Sequence, residues 1–195
     1  MPIDARDGRT KLDLESAMRE LLRERPLEQI RVRELTERCN IRRQTFYYHF
    51  TDVYDLFSWS MKREQEQLCR RQEECLTWQQ VFQDIFHCLQ EDRPYYQTVL
   101  RLHGREGLWG LLREPMEKLR KSLSAYYQRR YPEIWETEAA KNYGENIVLL
   151  QIVLEAWVNN EEEIDPEVFV KKVEAIERNA SAEFLLQGLL QNLTK

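Results

Sequence analysis

The sequence predicts an all-α protein, and three observations carry the prediction. Apolar residues recur at intervals of three and four through nearly every long segment. No stretch alternates with the two-residue period of a strand. Glycine and proline number six each, too few for a turn-rich β chain and compatible with long helices. A length of 195 residues suits one large domain or two small ones, with ample material for a core.

The elements follow in order. Residues 1–10 are polar and expected to fray. From Lys11 to about Arg25, Leu14, Ala17, Met18, Leu21 and Leu22 form one apolar stripe. Pro26 disfavours helical geometry at Arg25 and ends this helix, and Leu27 and Ile30 tuck the connection back onto the core. Val32, Leu35 and Cys39 then stand at i, i+3 and i+7 on one face of a short second helix. Asn40 stops it, because Asn enters the left-handed conformation at low cost. A third short helix carries Arg42, Arg43, Gln44, Thr45, Tyr47, Tyr48 and His49, with Ile41, Phe46 and Phe50 left to anchor it. Two short helices joined by a tight turn, the second rich in hydrogen-bond donors, describe a helix-turn-helix whose second helix reads a DNA groove.

Thr51-Asp52 supplies an N-cap for a long fourth helix lined by Tyr54, Leu56, Phe57, Met61, Leu68 and Cys69. Its later part, Lys62 to Glu74, is highly charged and reads as a solvated strut between two domains. Thr77 opens the next helix with Gln80 completing a capping box, and Trp78, Val81, Phe82, Ile85, Phe86 and Leu89 form a wide apolar stripe. Asp92-Arg93-Pro94 opens another, with the proline in the first turn. Gly104 and Gly107 interrupt it. Helical pattern resumes from Leu108 to about Tyr131, with Pro115 as a kink or junction and Pro132 as the close. A helix is expected from about Glu136 to Asn159. Within it, ten of the twelve residues from Ile147 to Val158 are apolar, all but Gln151 and Glu155. Such a helix must be covered on every side, is too short to span a membrane, and finds its second cover most simply in another subunit. Asp165-Pro166 starts a further helix with Val168, Phe169, Val173 and Ile176 on one face, and Phe184 to Leu193 ends the chain.

Charge is distributed unevenly. The net value is −5, yet residues 1–63 carry 13 Lys+Arg against 11 Asp+Glu and residues 64–195 carry 16 against 23. Within residues 31–50 there are five arginines and two glutamates. Binding responds to the local field, so a basic tip on an acidic body is consistent with DNA. The four cysteines, Cys39, Cys69, Cys75 and Cys88, form no CxxC pair and read as reduced helix-face thiols. The three histidines are scattered, and Cys75, His87, Cys88 and His103 lack zinc-ligand spacing, so neither metal nor cofactor is expected. No apolar run reaches the length of a membrane span and no leader opens the chain, which makes the cytoplasm the expected location. There is no GxSxG, no phosphate-cradling glycine loop and no credible catalytic Cys/His pair, hence no expectation of an enzyme.

The motif Val32-x-x-Leu35-Thr36, Cys39-Asn40-Ile41, Thr45-Phe46-Tyr47-Tyr48-His49-Phe50-Thr51-Asp52 resembles that of the TetR family of bacterial transcription regulators, most strongly over residues 10–62. Its wording looks like a subgroup related to regulators of dihydroxyacetone kinase operons. The resemblance implies a three-helix DNA-binding domain (residues 1–62), a helical ligand-sensing and dimerisation domain (63–195), and a homodimer on a palindromic operator. It implies phosphate contacts for Tyr47 and His49 and groove-facing roles for Arg43, Gln44 and Tyr48. Thr45 would touch DNA near the helix start, with Arg33 and Thr36 flanking the backbone. Arg42 stands where the family usually has a Ser cap, weakening the helix start but adding a charge at DNA. Val53 stands where a Lys is common, leaving any phosphate contact there to backbone N–H groups. Arg can grip guanine and Gln adenine, each in bidentate fashion, whereas Tyr and His donors suit phosphates.

The expectation is therefore a DNA-binding regulator, a repressor before an activator, governed by an effector in the C-terminal domain. The alternative is a co-regulator whose DNA-bound state is set by a partner protein. Candidate pocket residues are Trp78, Phe82, Phe86, Tyr95, Tyr96, His103, Trp109 and Tyr126, although each taken singly reads more readily as ordinary helical core. Candidate dimer residues are Val148, Ile152, Val153, Ala156, Trp157, Phe169 and Val173.

Overall fold

A computed structural model describes residues 5–130, 132, 154–159, 165, 167, 168, 170 and 171. Seven helices run along the main described stretch: α1 (Ala5–Leu22), α2 (Val32–Arg38), α3 (Arg43–His49), α4 (Val53–Glu73), α5 (Trp78–Glu91), α6 (Arg93–Leu111) and α7 (Arg113–Arg130). A 3₁₀ turn, Leu27–Gln29, bridges α1 and α2. Residues 154–158 are also helical, and no strand occurs among the described residues. The fold is all-α. Helix α1 starts at Ala5, so its polar opening is helical where fraying was expected.

The chain divides into two compact units: residues 1–69 with 91–112, and residues 70–90 with 113–195. The expected single division after residue 62 therefore differs from the observed one, since α6 joins the N-terminal unit. The physical reason is a polar cluster that apolar periodicity does not register. Arg19 Nη1 donates to Asp92 Oδ2 at 2.9 Å, and its Nη2 donates to Glu64 Oε2 at 2.6 Å and Glu15 Oε1 at 3.1 Å. Its guanidinium also lies 3.8 Å above the Tyr95 ring. Arg63 reaches the other Glu15 oxygen at 3.1 Å, and the Tyr96 hydroxyl donates to Glu64 at 2.7 Å. Glu15 and Ser60 are buried and Glu64 half-buried. Buried charge persists only where it is paired and hydrogen-bonded, and here the pairing joins α1, α4 and α6. The strut expected from Lys62 onward is thus partly interior, and Leu68 and Gln72 on it are buried as well. Leu56 and Phe57 line the apolar side as expected, but Tyr54 is exposed.

Caps behave as their residue types dictate. Asp52 Oδ1 accepts the Asp55 N–H at 2.8 Å at the head of α4. Thr77 Oγ1 accepts the Gln80 N–H while Gln80 Oε1 accepts the Thr77 N–H at 3.1 Å, a reciprocal box at the head of α5. Gly104 breaks α6 with φ 64°, ψ −166°, a region essentially reserved for glycine. Gly107 is helical, but a Cβ there would overlap that of His103. The junction expected at Pro115 lies instead at Leu112, and Pro115 occupies the first turn of α7, where a missing N–H costs nothing.

In the second unit, Val81, Phe82, Ile85, Phe86 and Leu89 of α5 are buried, with Met116 and Leu119 of α7. Trp157 is 2% exposed and its ring centroid lies 4.5 Å from that of Phe86. Trp157, expected at a dimer interface, is therefore enclosed within its own chain against α5. Ala156 is half-buried, while Val148, Ile152, Val153, Phe169 and Val173 lie outside the described residues.

Candidate nucleic-acid interface

The helix pair at residues 32–49 is built from a few enforced contacts. Leu35 is fully buried and Val32 and Cys39 half-buried, so α2 presents one face inward. Asn40 takes φ 50°, as the stop to α2 requires. The chain then re-engages when the Ile41 N–H donates to the Thr36 carbonyl at 3.0 Å. Arg42 is extended, with no side-chain cap bond, and α3 starts directly after it. Phe46 is fully buried, its ring 5.9 Å from that of Phe50. These two aromatics fix which way α3 faces.

The remaining side chains follow from helical geometry. Arg43, Gln44, Tyr47 and Tyr48 stand at i, i+1, i+4 and i+5, all exposed, with Arg42 exposed just ahead of them. Tyr48 is 78% exposed and Tyr47 58%. Tyr47 rests edge-on against Phe46 at 5.5 Å, and His49, half-buried, meets the edge of Tyr48 at 5.0 Å. Thr45 is half-buried on the flank. Large donor-bearing aromatics left in water on a short helix are not a packing solution, since burial would recover apolar area.

Charge is sorted in the same way. On α2 and beside it, three arginines are matched to carboxylates: Arg25 with Glu34 at 2.6 Å, Arg33 with Glu37 at 2.6 Å, and Arg38 with Glu20 and Glu24 at 3.1 Å each. Arg42 and Arg43 have no carboxylate partner among the described residues. The Glu34 carboxyl is held below its usual range, first by the Arg31 N–H it accepts. It stays ionised as the partner of Arg25. Uncompensated positive charge gathers at the start of α3.

Two expected DNA contacts are corrected. Thr36 is 3% exposed and its hydroxyl donates to the Arg33 carbonyl at 2.9 Å, a local bond that takes it off the surface. At the head of α4, where any phosphate contact was left to backbone N–H groups, Asp52 accepts the Asp55 N–H and the Asp55 carboxylate accepts the Thr51 N–H at 2.9 Å. Two carboxylates already occupy that helix start, and Val53 is buried. Arg33 remains exposed, though its guanidinium is held by Glu37, which raises its pKa.

The eight pocket candidates are split between the units. Tyr95, Tyr96, His103 and Trp109 belong to the first; Trp78, Phe82, Phe86 and Tyr126 belong to the second. Tyr95 is spent on the Arg19 cluster, and burial pushes its hydroxyl pKa well above the ordinary value. His103 is exposed, its ring parallel to Phe57 at 6.4 Å. Trp78 meets Tyr126 at 6.1 Å within the second unit. Neither unit assembles the eight.

Comparison with known proteins gives three findings. Residues 14–58 match the model of the bacterial regulatory proteins of the tetR family. The HTH-type dhaKLM operon transcriptional activator DhaS of Lactococcus lactis subsp. lactis (strain IL1403) is 27% identical over 90 residues. That alignment takes in 46% of this chain and 48% of the relative, so the chain spans about half the length of the curated relative it matches. Among solved structures, a dihydroxyacetone kinase operon activator DhaS superposes with a TM-score of 0.60 at 17% identity, over 87% of this chain and 94% of that one. At that identity the likeness is one of fold.

Proposed function

From the premise that residues 14–58 belong to the tetR family of bacterial regulatory proteins, we propose that the chain is a sequence-specific DNA-binding transcription regulator. The observation that carries this reading is the α3 surface: Arg42, Arg43, Gln44, Tyr47 and Tyr48 exposed together, with the two cations lacking a carboxylate partner among the described residues while Arg25, Arg33 and Arg38 are matched. Arg43, Gln44 and Tyr48 read base edges, and Arg42, Thr45, Tyr47 and His49 hold the phosphates that set register. Arg33 serves as a peripheral phosphate contact once Glu37 releases it.

The regulator acts as a homodimer on a palindromic operator in the cytoplasm. No described helix is long and apolar enough to cross a membrane. An effector, a small molecule or a partner protein, binds the second unit and favours one of two spacings of the reading helices. It can shift that equilibrium only by its difference in affinity for the two states. A repressor was the first expectation, but both similar proteins are named as activators, and activation is the sign we carry forward.

In vitro selection of bound DNA by the full chain tests the reading. The expected result is a two-fold symmetric consensus with half-sites about one helical turn apart, or a multiple of it. Recovery of unenriched DNA would end the proposal.

A further inference from the structure

The first helix carries an anomaly. Leu14 and Met18 are fully buried and Leu21 nearly so, and stepping back by three residues along the same stripe leads to Lys11. A position that the helical period assigns to the interior is held by a cation. Lys11 is half-buried, with its Nζ 6.0 Å from the centroid of the Phe50 ring. Phe50 follows His49 directly, and is flanked by Phe46 at 5.9 Å and Trp59 at 5.7 Å. The aliphatic stem of a lysine at the rim of an apolar cluster covers the cluster while its ammonium stays in water. No carboxylate is paired with Lys11 among the described residues. The charge therefore emerges beside the C-terminal end of α3, the end opposite Arg42 and Arg43.

The head of α4, the adjacent place where a phosphate could be held, carries the negative carboxylates of Asp52 and Asp55, which accept the Asp55 and Thr51 N–H groups, and Val53 contributes only a buried side chain. We propose that Lys11 is a phosphate contact of this protein, supplied from α1, which anchors the far end of the reading helix. The proposal rests on the DNA-binding reading above and adds to it a residue outside the helix-turn-helix. Together, Arg42 and Arg43 at one end of α3 and Lys11 at the other hold the helix along its groove, while its orientation is kept by Phe46 and Phe50.

The test compares full-length wild type, Lys11→Met and Lys11→Arg on a duplex selected by the wild type, across a range of salt. Met keeps the stem over Phe50 and removes the charge; Arg keeps both. Each lost phosphate contact lowers the slope of log affinity against log salt by about 0.9, hence by about 1.8 for a dimer on two half-sites. The wild type's advantage over Lys11→Met should then shrink about tenfold between roughly 50 mM and 200 mM salt. Lys11→Arg should run parallel to wild type. Parallel lines for wild type and Lys11→Met would overturn the proposal, whether or not the variant also melts lower, because a packing residue weakens binding without changing the slope. A wild type whose own binding is flat in salt would fail the DNA-binding reading itself, and this inference with it.

Discussion

Replacing Arg19 with methionine would leave three carboxylates facing one another. Glu15, Glu64 and Asp92 have side chains 4%, 13% and 12% exposed, and Arg19 is 19% exposed where it meets them. Removing one partner of a buried ion pair costs about 3–5 kcal/mol, because the remaining charge is stranded away from water. The partial exposure of Arg19 and the presence of Arg63 on Glu15 at 3.1 Å place the expected loss near the low end, about 3 kcal/mol. For a chain of this size that lowers the melting temperature by roughly 6–12 °C. Thermal unfolding followed by circular dichroism measures it. A cycle with Glu64→Gln sharpens the test, since Glu64 takes both Arg19 Nη2 at 2.6 Å and the Tyr96 hydroxyl at 2.7 Å. Glu64→Gln should destabilise the wild type and restore part of the loss in Arg19→Met, where it removes a stranded charge. If the two changes are additive, or if Arg19→Met melts within a degree or so of wild type, the cluster does not hold α1, α4 and α6 together.

Other outcomes follow from the same geometry. Tyr47→Phe should weaken binding about evenly across DNA sequences, whereas Gln44→Ala should relax base preference at one position per half-site by about 1–3 kcal/mol; selection profiles of the two variants that are interchanged would refute the assignment. Gly104→Ala meets no neighbour within 4 Å, so any loss comes from forcing a side chain into that backbone region, about 1–3 kcal/mol by denaturant unfolding; an unchanged midpoint would mean that the break is not rigidly set. Burial, the largest cause, raises the Asp92 pKa above its ordinary value against the lowering pull of Arg19. The folded state therefore binds that proton more tightly than the unfolded chain, and the term favours folding as pH falls from neutral toward the ordinary carboxylate value of about 3.9. Relative to Asp92→Asn, the wild type should gain stability over that interval; a constant difference between the two would show that Asp92 titrates normally.

What was readable in the sequence is what apolar periodicity and turn chemistry encode. Asn40 as a left-handed stop, the Thr77–Gln80 box, the buried stripe of α5 and the inward Phe46 and Phe50 all follow from residue type and spacing. The Arg19 cluster was hidden because Glu15, Arg19, Ser60, Glu64 and Asp92 are residues that a hydropathy pattern places in water, and their pairing spans the chain from α1 to α6. Their joint burial is also why α6 groups with the N-terminal unit. Thr36 carried a signal that was passed over: a Thr inside a helix readily bonds the carbonyl three residues back. Trp157 was assigned to a second subunit because its helix is apolar nearly all round, and the pattern alone says nothing of Phe86 on α5. Lys11 is charged, so apolar periodicity does not single it out, although the stripe of Leu14 and Met18 runs straight back to it.

The division of labour along α3 has a consequence for how such a protein changes over generations. Side chains that touch the solvent side (Arg42, Arg43, Gln44 and Tyr48) hold nothing in place within the fold, whereas Phe46 and Phe50 are enclosed. If α3 reads DNA as proposed, substitutions in the first group should alter what is read at little expense in folding, and those in the second should cost the fold itself. A duplicated copy could thus drift to a new operator through a handful of single changes, each passing through a folded intermediate.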